Sequence, residues 1–157
     1  MSVELQQAVG RIVHDQELCA GCRTCMAVCS LIHSGAVSPE LSGIQIMWFP
    51  REGGMVDSNI CWQCKSPECL AVCEPEALHI DKKTGARVID QEKCTGCRLC
   101  QEACPYKTSD PRYYGDGLSP IRYDAERNVC FMCDLCGGDP QCVKFCPMEA
   151  LSFSTKV

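Results

Sequence analysis

The chain has 157 residues, a formal charge of −5 and seventeen cysteines. That length suits one ordinary domain or two small fused ones, and with four Phe, two Trp and four Tyr for a core, such small halves need covalent or metal staples. No block of like charge argues for a nucleic-acid partner, and the longest apolar stretch, around Ile44 to Phe49, falls far short of the roughly 20 residues of a membrane-spanning helix.

The opening segment MSVELQQAVGRIVHD lacks a charged n-region followed by an apolar h-region, and no Arg-Arg pair occurs. The expected location is therefore cytoplasmic, where dense cysteine means metal rather than disulfides. An odd cysteine count agrees, since disulfides would leave one thiol unpaired.

In chain order, GRIVHDQ reads as a strand and leads into the first cysteine run, Cys19-x2-Cys22-x2-Cys25-x3-Cys29, whose last member is expected on a short helical turn. A long connection follows, Ser30 to Ile60, containing the strand-like piece IQIMWF. The second run is Cys61-x2-Cys64-x4-Cys69-x3-Cys73. After it, ALHIDKKTGARVIDQEK reads as strand, tight Lys-Thr-Gly turn, strand. The third run, Cys94-x2-Cys97-x2-Cys100-x3-Cys104, is followed by Pro105. A second long connection, Pro105 to Val129, holds the strand-like PIRYD. The last stretch carries five cysteines, Cys130, Cys133, Cys136, Cys142 and Cys146, ahead of the strand-like tail ALSFSTKV.

A C-x2-C-x2-C-x3-C-P run is the bacterial-type [4Fe–4S] signature. Close x2 spacing lets a short loop wrap one corner of a cubane with its amides toward the sulfurs. The fourth cysteine points away and serves a neighbouring cluster. Zinc knuckles pair two C-x2-C motifs across a longer gap and have no use for the tight run. A radical enzyme using S-adenosylmethionine would want C-x3-C-x2-C, which does not occur.

The runs repeat. HDQELCAGCRTC matches IDQEKCTGCRLC, and CLAVCEPEAL matches CVKFCPMEAL. In the last stretch, Cys133, Cys136, Cys142 and Cys146 give gaps of x2, x5 and x3, one residue from the second run. Starting from Cys130 and Cys133 instead gives a middle gap of x8 and strands Cys136, although longer middle gaps also work. Cys130 is thus read as the spare, either an inert core thiol or a neighbour that modulates one cluster.

Two pairings of the runs are open: first with second and third with fourth, or second with third and fourth with first. The hairpin between the second and third runs favours the latter, and the two chain ends look like the same hairpin with its turn cut open. The expected fold is α+β: two bacterial-ferredoxin-like modules related by duplication. A central module covers 61–104, a terminal one covers 1–35 plus 121–157, and 36–60 and 105–120 connect them. By the crossing rule, the four ligand sets are Cys61, Cys64, Cys69 with Cys104; Cys94, Cys97, Cys100 with Cys73; Cys19, Cys22, Cys25 with Cys146; and Cys133, Cys136, Cys142 with Cys29.

These four runs resemble the four-cluster ferredoxin-like electron-transfer subunits of molybdenum and tungsten oxidoreductases, formate dehydrogenases and hydrogenase complexes. CAGCRTCMAVCSLIHSG (Cys19 to Gly35) and CDLCGGDPQCVKFCP (Cys133 to Pro147) look most like the small subunit beside tungsten-dependent aldehyde oxidoreductases. The resemblance implies four [4Fe–4S] clusters and no catalysis by the chain itself. It implies a large tungsten- or molybdenum-pterin partner and a second partner such as a flavin-containing NAD-reducing subunit or a ferredoxin; self-association is left open by the sequence. The alternatives are the iron–sulfur subunit of a formate dehydrogenase, hydrogenase or carbon monoxide dehydrogenase, or a free-standing polyferredoxin. The family's Lys-Cys-Asp-x-Cys wording matches Cys133 and Cys136, with Met132 in place of Lys. Cys29 is followed by Ser30 and Cys73 by Glu74 where many such runs have Pro, so local geometry is expected to differ there.

Other residues carry weaker signals. Met26, Val28, Leu70, Val72, Leu99, Val143 and Phe145 suit screening of clusters or ordinary packing. Arg23 and Arg98 hold equivalent positions beside a cysteine and suit either tuning or a solvated surface. His14, His33 and His79 are not needed as ligands beside so many cysteines. Trp48, Trp62, Tyr113 and Tyr114 suit packing over a cluster.

Overall fold

A computed structural model describes residues 6–107 and 119–155; Tyr113 and Tyr114 lie outside the described residues. The strands and α-helices are β1 (Arg11–His14), α1 (Thr24–Ser34), β2 (Ile44–Phe49), β3 (Met55–Ile60), α2 (Glu68–Ala71), β4 (Leu78–Ile80), β5 (Arg87–Ile89), α3 (Leu99–Ala103), β6 (Arg122–Asp124), β7 (Val129–Phe131), α4 (Gln141–Lys144) and β8 (Leu151–Ser154). They form four antiparallel two-stranded sheets, β1–β8, β2–β3, β4–β5 and β6–β7.

The β4–β5 pair runs from Leu78↔Ile89 to Ile80↔Arg87, and the two chain ends pair from Arg11↔Ser154 to His14↔Leu151. The two pairs continue alike. The Asp15 amide donates to the Ala150 carbonyl, and the Asp90 amide to that of Ala77, each at 2.8 Å. The carboxylates of Asp15 and Asp90 then accept from the amides of Glu17 and Glu92, each at 2.9 Å. An Asp that captures the amide two residues on makes a local turn, so the HDQE and IDQE segments leave their strands in the same way.

In the β4–β5 turn, the Asp81 carboxylate accepts from the Thr84 amide at 2.8 Å and hydroxyl at 2.6 Å. Gly85 sits at φ +67°, and a Cβ there would lie 2.0 Å from the Gln7 carbonyl oxygen. Both the left-handed backbone and the segment crossing over it require glycine. That crossing segment is fixed by the Val9 amide, which donates to the Thr84 carbonyl at 2.8 Å.

The residue after each first-type run decides its helix length. Pro105 disfavours the helical region for the residue before it, and Cys104 is extended (φ −70°, ψ 118°), so α3 stops after five residues. Ser30 imposes nothing similar. α1 therefore runs eleven residues, through Cys29, to a left-handed Gly35 cap. The expected short turn is thus a full helix on this side. Cys73 and Cys146 show no such contrast. With Glu74 after one and Pro147 after the other, both carbonyls accept the amide three residues on, at 3.0 and 3.2 Å.

IQIMWF and part of PIRYD do form strands, but in separate hairpins rather than as extensions of the other sheets. Each covers a different group of buried side chains. Ile44, Ile46, Val56 and Ile60 of β2–β3 pack with Cys25, Met26, Leu135, Cys142 and Leu151. Ile121, Cys130 and Met132, in and beside β6–β7, pack with Cys61, Cys69, Leu78 and Cys100. Burial of one such Ile or Leu stabilises by about 1.5–3 kcal/mol. Cys133 borders both groups.

Candidate metal centres

All seventeen cysteines are free thiols, and sixteen gather in four groups of four. The first group joins Cys19, Cys22 and Cys25 to Cys146, which follows α4. Burial pushes the Cys25 thiol up to about 12, the Met26 amide works against that, and the neighbouring Cys19, Cys146 and Cys22 raise it further. The second group, Cys61, Cys64, Cys69 and Cys104, lines one cavity. Burial takes both Cys61 and Cys69 up to about 12, with Cys104 among the raising neighbours of each.

Cys73, Cys94, Cys97 and Cys100 line a third cavity. The fourth is lined by Cys29, Cys133, Cys136 and Cys142, where burial raises Cys142 to about 12 and Cys29 and Cys136 add to it. In every group the cysteine after a short helix, or one turn into α1, crosses to sit with three from another run. Geometry at the loops makes this feasible. Gly21 and Gly96 (φ +68° and +70°) and Arg23 and Arg98 (both φ +61°) turn the two matching x2 loops left-handed before α1 and α3 begin.

The donor set fits an iron–sulfur cubane. Four convergent thiols surround a small cavity, and backbone amides aim at the sulfurs: Gln63 to Cys61 Sγ at 3.4 Å, Leu78 to Cys73 Sγ at 3.2 Å, and Cys130 to Cys94 Sγ at 3.2 Å. Thiolate ligands with such second-layer donors are what these clusters take.

Cys130 is 1% exposed and lines the cavity of the third group, not that of its own stretch. Its side chain is the largest influence on Cys100, raising that thiol ahead of burial. β7 carries it there by running beside β5. His33, one turn beyond Cys29 on α1, places Nε2 3.5 Å from both Cys136 Sγ and the Asp134 carboxylate. Sequence spacing gave no hint of this contact. His79 Nδ1 lies 3.0 Å from the Ala77 carbonyl oxygen. His14 is half-buried beside Asp57 and Asp15, and burial holds it below its ordinary value.

Of the apolar neighbours, Met26 is buried, but Leu99 and Phe145 are 49% and 57% exposed and screen little. Ile121 and Leu135, both essentially inaccessible, cover the thiols instead. Trp62 stacks on Tyr106 with centroids 4.6 Å apart, at the edge of the second group, with the Arg11 guanidinium 4.5 Å over its ring. Trp48 is exposed and borders none of the cavities of the second, third and fourth groups. Arg98 stacks 5.0 Å over Tyr123, and Arg23 faces solvent.

Two functional side chains carry no spacing signal. Gln63 and Arg87 are fully buried beside the second group. An arginine inside an apolar strand pattern, ARVI, was the available clue.

The 4Fe–4S dicluster domain family matches residues 54–156, and a 4Fe–4S binding domain matches 16–32. The chain is 37% identical over 146 residues to the polyferredoxin-like subunit of an aliphatic sulfonate oxidoreductase from Pyrococcus furiosus, covering 93% of this chain and 76% of that relative. It is 30% identical over 178 residues to the hydrogenase-2 operon protein HybA of Escherichia coli O157:H7, covering 92% of this chain but only 51% of HybA. In fold it is similar to a chain of the BamBC active-site complex of benzoyl-coenzyme A reductase, with a TM-score of 0.52 at 22% identity, covering 95% of this chain and 77% of that one. By its matched domains and its cysteine geometry, the chain belongs to the 4Fe–4S dicluster family of ferredoxin-like iron–sulfur proteins.

Proposed function

We propose that the sixteen grouped cysteines hold four [4Fe–4S] clusters and that the chain relays single electrons between a catalytic subunit and a second redox partner. The observation that carries this is the run of neighbouring thiols linking all four groups. Cys25 neighbours Cys142, Cys133 neighbours Cys61, and Cys69 neighbours Cys100. Read as a path, the order is first, fourth, second and third group. Each bound cubane accepts or releases one electron at a time. The chain contributes thiolates, amide donors and apolar cover, and it is a non-catalytic electron-transfer subunit.

In this reading the modules are a central one (61–104) and a terminal one (1–35 plus 121–157), descended from one duplicated pair of runs. Matched turns at Asp15 and Asp90, and at Glu76 and Glu149 (both φ +52°), support that descent. Cys130 is outside the ligand set. No helix among the described residues is long and apolar enough to cross a membrane, and a cytoplasmic location belongs to the proposal.

The catalytic partner is a tungsten- or molybdenum-pterin oxidoreductase, for which an aldehyde is the proposed substrate class. Support comes from the wording of the first and last cysteine stretches and from a relative that serves another oxidoreductase. A hydrogenase partner is the second reading, favoured by HybA. Stopped-flow reduction decides between them. The chain is mixed anaerobically with a tungsten- or molybdenum-pterin oxidoreductase subunit or with a hydrogenase, and cluster bleaching is followed on adding an aldehyde, a sulfonate or hydrogen. Bleaching by aldehyde alone is expected. Bleaching by hydrogen with the hydrogenase, and none by aldehyde with the pterin subunit, overturns the pterin assignment.

A further inference from the structure

Arg87, on β5, is 1% exposed and is the only buried cation among the described residues. Its Nη1 donates to the carbonyls of Gln6 at 3.0 Å and Gly85 at 2.6 Å, and its Nη2 to that of Lys65 at 3.4 Å. Nε finds no partner among the described residues. The carbonyls orient the guanidinium but carry no charge to balance it. No ion pair between described residues involves Arg87. A buried charge left without a counter-charge is unfavourable, so native proteins pair it or place it against a metal centre.

What it does face is the cavity of Cys61, Cys64, Cys69 and Cys104. The guanidinium stays protonated under all relevant conditions. Four thiolates around a cubane carry net negative charge, and reduction adds one more. A fixed cation in a weakly screening interior therefore favours the reduced over the oxidised form and raises the midpoint potential. None of the other three groups has a buried cation among the described residues.

We infer that Arg87 is the fixed counter-charge of the Cys61, Cys64, Cys69, Cys104 group and raises the potential of that one station. Because Cys61 neighbours Cys133, this is a station at the junction of the two modules. Arg87 touches no substrate and acts as a positioning and tuning residue. The inference rests on the four-cluster reading.

Anaerobic redox titrations followed by paramagnetic resonance on the intact chain test it, with iron and sulfide measured first. A wild-type chain without about sixteen irons fails the four-cluster reading, independently of Arg87. Arg87→Lys keeps the charge and loses the planar fork; Arg87→Gln loses both. The expected result is wild-type iron and midpoints for Arg87→Lys. For Arg87→Gln, one midpoint moves negative while the other three hold, or that one cluster is lost. Four unmoved midpoints in Arg87→Gln overturn the inference. So do all four moving together, or equal damage in both variants, including equal failure to assemble, which would assign Arg87 to carbonyl packing alone.

Discussion

The Gln63 side-chain nitrogen donates to the Cys133 carbonyl at 2.8 Å, which ties the second cysteine run to the fourth across 70 residues of sequence. The same side chain's oxygen accepts from the Arg87 amide at 2.7 Å. One buried amide thus fixes the spacing where the two groups of cysteines come nearest.

Replacing Gln63 by Ala leaves a buried carbonyl and a buried amide without partners, at about 1–3 kcal/mol each. Anaerobic denaturant titration of the loaded chain is expected to show that loss. A change below about 0.5 kcal/mol, the ordinary range for an unimportant surface site, would contradict the bridging role.

Cys130→Ala is expected to retain the full iron and sulfide content, because its thiol lies against the third group as a fifth member. Cys136→Ala is expected to lose about four irons. Iron loss in Cys130→Ala would make Cys130 a ligand of the third group, and full iron in Cys136→Ala would remove Cys136 from the ligand set.

The cysteine groups were largely legible because ligand spacing is local: x2 loops and a residue one helical turn later can be counted. The β4–β5 hairpin was legible from Lys-Thr-Gly, and the β1–β8 pair from the repeated sequence around it. Contacts fixed by packing between distant segments were not. His33 meets Cys136 across 103 residues, and Cys130 reaches Cys94 because β7 lies beside β5. Arg87 and Gln63 obey no motif, since their roles arise only when two strand pairs and a cysteine loop close around them. The β2–β3 hairpin was half visible. IQIMWF is buried at nearly every position, so it lacks the alternation of a one-sided strand.

Ser30→Pro places a proline inside α1, where it removes a backbone donor and clashes with the preceding turn. The expected cost is about 3 kcal/mol or more, with loss of helix beyond Cys29 seen by far-ultraviolet circular dichroism. Pro105→Ser, after the end of α3, is expected to change stability by less than about 1 kcal/mol. Equal tolerance of both would show that the following residue does not set helix length.

His14 is held below its ordinary pKa by burial, with Asp57 and Asp15 opposing. The unfolded chain then binds the proton first as pH falls. The stability that neutral His14 contributes is present above its ordinary value of 6.5 and is lost as pH drops through its lowered folded value. Urea midpoints at pH 7.5 and 5.5 are expected to fall more for the wild type than for His14→Gln. Parallel falls would remove His14 as the cause.

The central claim is that the four groups of cysteines hold four cubanes. Iron, acid-labile sulfide and zinc per chain, measured on anaerobically purified protein, test it most directly. About sixteen irons with as many sulfides and negligible zinc are expected. About eight irons, or zinc without sulfide, would contradict it.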